Sequence, residues 1–215
     1  MGFYVMLGDV VSSRLIKSPR EDFQARLENF CQVVNATFAP SVYGPFKILK
    51  GADEVGGVLT SVGCAYGLIS LMLERLCPHL IRWVLTGGII DTAVGTHDVA
   101  KMDGPAFHKA AELMSRLKRT QLLFDMSAGD DLLDQAVAGQ INLLLLLKGR
   151  WSERQRRVAI EYDKAGSQHE VAQRLGISQQ AVSKTLGGLR LREIKAIEDK
   201  LGHILAHYPA GGVRG

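Results

Sequence analysis

SQHEVAQRLGISQQAVSKTL, Ser167–Leu186, reads as two short helices joined by a tight turn. Ser167 is placed to cap the first helix, and Glu170, three residues on, to complete a capping box. Val171, Ala172 and Leu175 mark one apolar face at helical spacing. Gly176 stands where the turn needs a residue tolerant of positive φ. Ile177 is expected to plug the angle between the helices and Ser178 to cap the second, which Val182 and Leu186 anchor. Gln179, Gln180, Ser183 and Lys184 are left on the exposed face near the second helix's N-terminus. That pattern is a helix-turn-helix, whose second helix enters the DNA major groove with its N-terminal residues at the base edges.

The charge distribution agrees with this reading. From Arg150 onward 12 Lys and Arg stand against 7 Asp and Glu, a balance of +5, while the rest of the chain carries 14 against 15. A basic C-terminal module on a nearly neutral first part places phosphate contact in the C-terminal part, with Arg190 and Arg192 joining Lys184. At 215 residues and 47% hydrophobic content the chain is globular, with room for one large domain or two small ones. Cys31, Cys64 and Cys77 show no CxxC spacing and lie in apolar stretches, as expected of reduced core residues in a cytoplasmic protein. No basic segment precedes the first apolar run, so no signal peptide is expected. Ile141–Leu147 is strongly apolar but far too short to span a membrane.

N-terminal to this module the pattern alternates between strand and helix. Strands are expected at Phe3–Leu7, Phe46–Leu49, Val55–Leu59, Ile81–Ile90 and Gln121–Phe124. Helices are expected at Arg20–Phe38, Ser61–Leu76, Gly104–Leu117 and Asp130–Leu147. The order β-α-β-β-α-β is the split βαβ, or ferredoxin-like, arrangement, which makes the fold class α+β. Beyond Gly149 the pattern is wholly helical: Trp151–Tyr162, the two short helices, then Arg192–His207. The stripe Ile194, Ile197, Leu201 and Ile204 on the last helix suits either a dimer seam or packing against preceding helices. The expected domains are therefore 1–148 and 149–210.

In a ferredoxin-like sheet the end of strand one lies beside the start of strand three. Those positions hold Asp9, Asp53 and Glu54. Carboxylates converging there can hold Mg²⁺ or Mn²⁺ with a phosphate, and Ser12, Ser13 and Arg14 can supply phosphate ligands. The same acids next to glycine also suit plain turns.

Four segments taken together resemble the SatD family: Gly8-Asp9-Val-Val-Ser-Ser-Arg14, Gly51-Ala-Asp-Glu-Val-Gly-Gly-Val-Leu59, Asp103-Gly-Pro-Ala-Phe-His-Lys-Ala-Ala111, and the tail from Trp151-Ser-Glu-Arg-Gln to Gly176-Ile-Ser-Gln-Gln-Ala-Val-Ser-Lys184. The resemblance implies an N-terminal domain like that of class III nucleotide cyclases and GGDEF proteins. It further implies Asp9 and Asp53 as metal ligands, Glu54 at the adjacent glutamate, and a nucleotide ligand. Where cyclases carry Asn and Arg to stabilise the reacting phosphate, this chain has His108 and Glu112. A glutamate cannot stabilise developing negative charge, so the resemblance points away from cyclase catalysis. The expectation is a DNA-binding regulator, a homodimer on a two-fold site in double-stranded DNA, with a degenerate domain sensing metal or nucleotide. The alternatives are a metal-dependent nucleotide-binding or nucleotidyl-transfer enzyme tethered to nucleic acid, and a protein–protein adaptor.

Overall fold

The computed structural model describes residues 2–11, 20–50 and 53–209. They form two compact units, one of residues 1–142 with 202–215 and one of Leu143–Leu201. The sequence-derived division at 148/149, with a second domain running to 210, differs from these units at both ends. Residues 143–148 group with the second unit and 202–209 with the first.

The first unit is a five-stranded sheet with helices on both faces. Its strands are β1 (Phe3–Val10), β2 (Val42–Lys50), β3 (Glu54–Leu59), β4 (Ile81–Gly88) and β5 (Phe124–Ser127). Their spatial order is β2-β3-β1-β4-β5, antiparallel throughout except for the parallel pair β4/β5. Helices α1 (Arg20–Thr37), α2 (Ala65–Arg75) and α3 (Pro105–Leu117) connect the strands, and α4 (Asp131–Gly149) follows β5.

Side chains alternate across the sheet, as the two-residue period of a strand dictates. On one face Trp83 meets Phe30 of α1 and Phe46 of β2, each with ring centroids 6.3 Å away. Gly8 leaves space for that indole, since a Cβ there would come within 2.6 Å of the Trp83 ring. The opposite face carries Val5, Leu7, Val58 and Val84 against Ala106, Ala110, Leu113 and Leu117 of α3. Asp9 and Arg82 continue that second face past the end of the apolar rows.

The fifth strand, Phe124–Ser127, lies three residues later than the expected Gln121–Phe124. Phe124 and Met126 point inward at 1% and 4% exposure while Asp125 and Ser127 alternate outward, and this alternation sets the register opposite Trp83–Thr86. Buried Asn142 holds the entry to the strand. Its Oδ1 accepts from the Leu123 and Phe124 N–H groups, and its Nδ2 donates to the Phe124 carbonyl.

The second unit is helical, with α5 (Glu153–Ala165), α6 (Gln168–Leu175), α7 (Gln179–Gly188) and the start of α8 (Leu191–Ala206). Val158, Ala159, Val171, Ala172, Val182, Leu186, Leu189 and Leu191 form its core, with Leu175 and Ile177 packed against it. Gly176, at φ 63°, ends α6, and the Ile177 N–H reaches back to the Ala172 carbonyl at 3.0 Å. Ser167 caps α6 by accepting from the Glu170 N–H, and Ser178 caps α7 by accepting from the Ala181 N–H. The expected reciprocal box at Ser167 is only half made, because the Glu170 carboxylate is drawn to Arg174. A complete capping box does occur at Ser152 and Gln155, at the start of α5.

The stripe on α8 is largely internal: Ile194 and Leu201 are buried, and only Ile197 is exposed. Of the cysteines, which are all free, only Cys31 is a core residue, while Cys64 and Cys77 are partly exposed. Among the described residues no helix is long and apolar enough to cross a membrane.

Candidate functional site

In the second unit, α7 is positioned by burial of Val182 and Leu186 on one side. The remaining arc necessarily faces outward, and Gln179, Gln180, Ser183 and Lys184 are all exposed on it. The first turn of α7 contains no acidic residue. The partial positive charge of its free N–H groups is therefore uncompensated, a setting that favours phosphate. Arg190 occupies the turn after α7 in a left-handed conformation, φ 52°, and lies 3.6 Å from Glu193. Arg192 is exposed two residues further on, in the first turn of α8. Ser183, Arg192, Tyr162, Asp163 and Lys195 line a cleft of about 750 Å³ within this unit. Lys195 is committed there to Asp163, at 2.5 Å, and lies over the Tyr162 ring. Exposed Arg154 and Arg157 on α5 add positive charge that the sequence reading had not assigned.

In the first unit, strand pairing brings Asp9 directly opposite Glu54, and the Val10 N–H donates to the Asp53 carbonyl at 2.8 Å. The backbone juxtaposition expected from the topology is thus present. Ser12, Ser13 and Arg14 lie outside the described residues, as do Gly51 and Ala52. The Asp9 side chain has cationic neighbours that the sequence reading missed. Lys118, just past the end of α3, approaches its Oδ1 to 2.6 Å, and Arg82, opposite Asp9 on β4, approaches Oδ2 to 3.8 Å.

A carboxylate held by an ammonium and a guanidinium is charge-compensated within the chain. A divalent cation would have to displace Lys118 to use the Asp9 carboxylate. Among the described residues no three His, Cys, Asp or Glu side chains gather as a metal cluster. Arg82 was detectable in principle from strand pairing, whereas Lys118 depended on how α3 crosses the sheet.

His108 is exposed on α3 and stands 3.3 Å from Asp103, while Glu112 is exposed a turn later. Neither touches Asp9 in any described contact. Gly104 begins this helix at φ 145°, which lets the chain pass tightly against Asp91.

The sequence profile of the SatD family matches residues 3–195. No curated protein matches the chain. Among solved structures, that of a bacterial light-regulated adenylyl cyclase aligns at 15% identity and a TM-score of 0.40, over 58% of this chain and 74% of that one.

Proposed function

The chain belongs to the SatD family, and from that premise we propose that it is a DNA-binding transcriptional regulator of the cytoplasm. In this reading the second unit is a helix-turn-helix module, with α7 as its recognition helix. The first unit is a ferredoxin-like domain, a reading supported by the strand order β2-β3-β1-β4.

One observation carries the proposal: α7 is anchored by Val182 and Leu186 and presents Gln179, Gln180, Ser183 and Lys184 to solvent over its first two turns. Amide side chains there suit bidentate contact with adenine in the major groove. Lys184, Arg190 and Arg192 suit phosphate oxygens, which fix register without reading sequence. One small module binds weakly, so two copies on a two-fold symmetric site are the working arrangement.

The test is selection of bound sequences from a random double-stranded DNA library, followed by titration of the enriched site across a salt series. An enriched, inverted-repeat sequence whose affinity falls steeply with salt is the expected result. Absence of binding even at low salt, where phosphate contacts are strongest, would leave a protein–protein adaptor as the better description.

A further inference from the structure

The C-terminal end of α8, which groups with the first unit, sets two imidazoles side by side. His203 and His207 are both exposed, and their rings stack with centroids 4.2 Å apart and planes 27° from parallel. Residues four apart lie one above the other on a helix face. The His207 backbone N–H donates to the His203 carbonyl at 3.2 Å, so the helical turn closes across the pair. The backbone beneath is anchored within the same unit: Leu205 is buried, and Tyr208 is held by Asp134 and the Asp130 N–H.

The second ring is also fixed in tautomer. Nδ1 of His207 lies 2.9 Å from the His203 carbonyl oxygen. A carbonyl can only accept, so this nitrogen carries the proton and the neutral ring keeps its lone pair on Nε2. A hydrogen bond from the far ring nitrogen to a backbone carbonyl is how proteins aim a metal-ligating imidazole. The pair stands at the negative end of the α8 dipole, where a cation is favoured.

We propose that His203 and His207 form a chelating site for a borderline divalent metal ion of the Zn²⁺ type, bound through one nitrogen of each ring. Imidazole suits Zn²⁺, Ni²⁺ and Cu²⁺, whereas Mg²⁺ and Ca²⁺ prefer oxygen. Among the described residues no third His, Cys, Asp or Glu joins the pair. Zn²⁺ takes four ligands, so the remaining positions fall to water or an incoming donor, and the site is open. A metal bridging the two rings would brace the turn that leads into Tyr208. The inference is independent of the DNA reading and is tested without DNA.

Isothermal titration of the untagged, metal-free full chain with Zn²⁺ at neutral pH should show one site per chain, with no comparable binding of Mg²⁺. Removing a group that only orients a metal ligand costs about 10–100-fold in affinity, so losing a ligand itself should cost at least as much. His203→Ala and His207→Ala should therefore each weaken Zn²⁺ by about tenfold or more. Both positions are exposed, so the circular dichroism spectrum should not change in either. Acidification, which protonates imidazole, should abolish binding.

Long-range ¹H–¹⁵N spectra of the six imidazoles locate the metal. Zn²⁺ should shift Nε2 of His207 and one ring nitrogen of His203, and leave the other four histidines unchanged. A chain carrying Cys64→Ser and Cys77→Ser, which lacks the partly exposed thiols, should bind as the wild type does. No binding by the wild type, binding indifferent to both histidine substitutions, or binding lost with the two cysteines instead would each overturn the proposal.

Discussion

Tyr208 donates a 2.5 Å hydrogen bond from its Oη to Oδ1 of Asp134, a carboxylate only 3% exposed. Oδ2 of the same side chain accepts from the Ala128 N–H at 2.9 Å, and the Tyr208 hydroxyl in turn accepts from the Asp130 N–H. The end of the described chain is thereby tied to the start of α4 within the first unit. Tyr208→Phe keeps the ring and removes one donor from a buried carboxylate, so a loss of about 1–3 kcal/mol is expected. Urea unfolding of the two proteins at neutral pH measures it.

The same contact gives the protein an alkaline weakness. Burial, and then the bond to Asp134, raise the Tyr208 hydroxyl well above the ordinary tyrosine range. The folded state thus keeps a proton that the unfolded chain releases near pH ~10. A raised folded value contributes stability that is complete below the unfolded value and is lost as pH rises through it. Cys31 acts with the same sign, its thiol pushed up to about 12 by burial and by nearby Glu28. Unfolding free energy should therefore fall between neutral pH and about pH 11, and Tyr208→Phe should flatten that fall. Equal slopes for the two proteins would contradict the assignment to Tyr208.

The turn between α6 and α7 has two separable supports. Ser178→Ala removes the side-chain acceptor for the Ala181 N–H and should cost about 1 kcal/mol. Gly176→Ala forces a Cβ into a left-handed conformation, at a cost of about 1–2 kcal/mol. Thermal unfolding of the full chain should register both losses, with the second unit the first to melt. Because both substitutions loosen the seat of α7, affinity for a selected DNA site should decline in parallel.

Base readers and phosphate contacts should fail differently. Gln180→Ala is expected to cost about 1–3 kcal/mol on the preferred site and to relax preference at one base position. Lys184→Ala should weaken binding to all sequences alike and reduce the salt slope by about one. Parallel titrations on the selected and a scrambled duplex distinguish the two. Unchanged sequence preference in Gln180→Ala would remove it from the reading face.

Lys118 would compete with a metal ion for the Asp9 carboxylate. With the 2.6 Å ammonium contact in place, Mn²⁺ and nucleoside triphosphates should raise the wild-type melting temperature little. Lys118→Ala leaves Asp9 beside Glu54 with the more distant Arg82 as its remaining cationic neighbour among the described residues, and Mn²⁺ should then raise the midpoint by mass action. A nucleotide-specific, Mn²⁺-dependent rise in the wild type that disappears in Asp53→Asn would instead establish a metal–nucleotide site there.

Elements whose signal is local were legible from the residues. The caps Ser167 and Ser178, the left-handed Gly176 and the anchors Val171, Val182 and Leu186 all occupy their expected places, because caps and 3.6-residue periodicity depend on neighbours in sequence. The opposition of Asp9 and Glu54 was also legible, since strand order fixes which ends meet. Long-range contacts defeated two local readings. Asn142 and the register on β4 moved the fifth strand to Phe124–Ser127, away from its most apolar run. Arg174 drew off the carboxylate that would have completed the capping box at Ser167.

The sequence by itself determined the helical and extended periods, the turn at Gly176 and the outward face of α7. These follow from interactions between residues a few positions apart, whose geometry the backbone imposes. Tertiary structure alone decided that Lys118 lies against Asp9 and that Tyr208 seals Asp134. Each of those outcomes sets residues distant in sequence side by side, and only the packed fold specifies which of them meet.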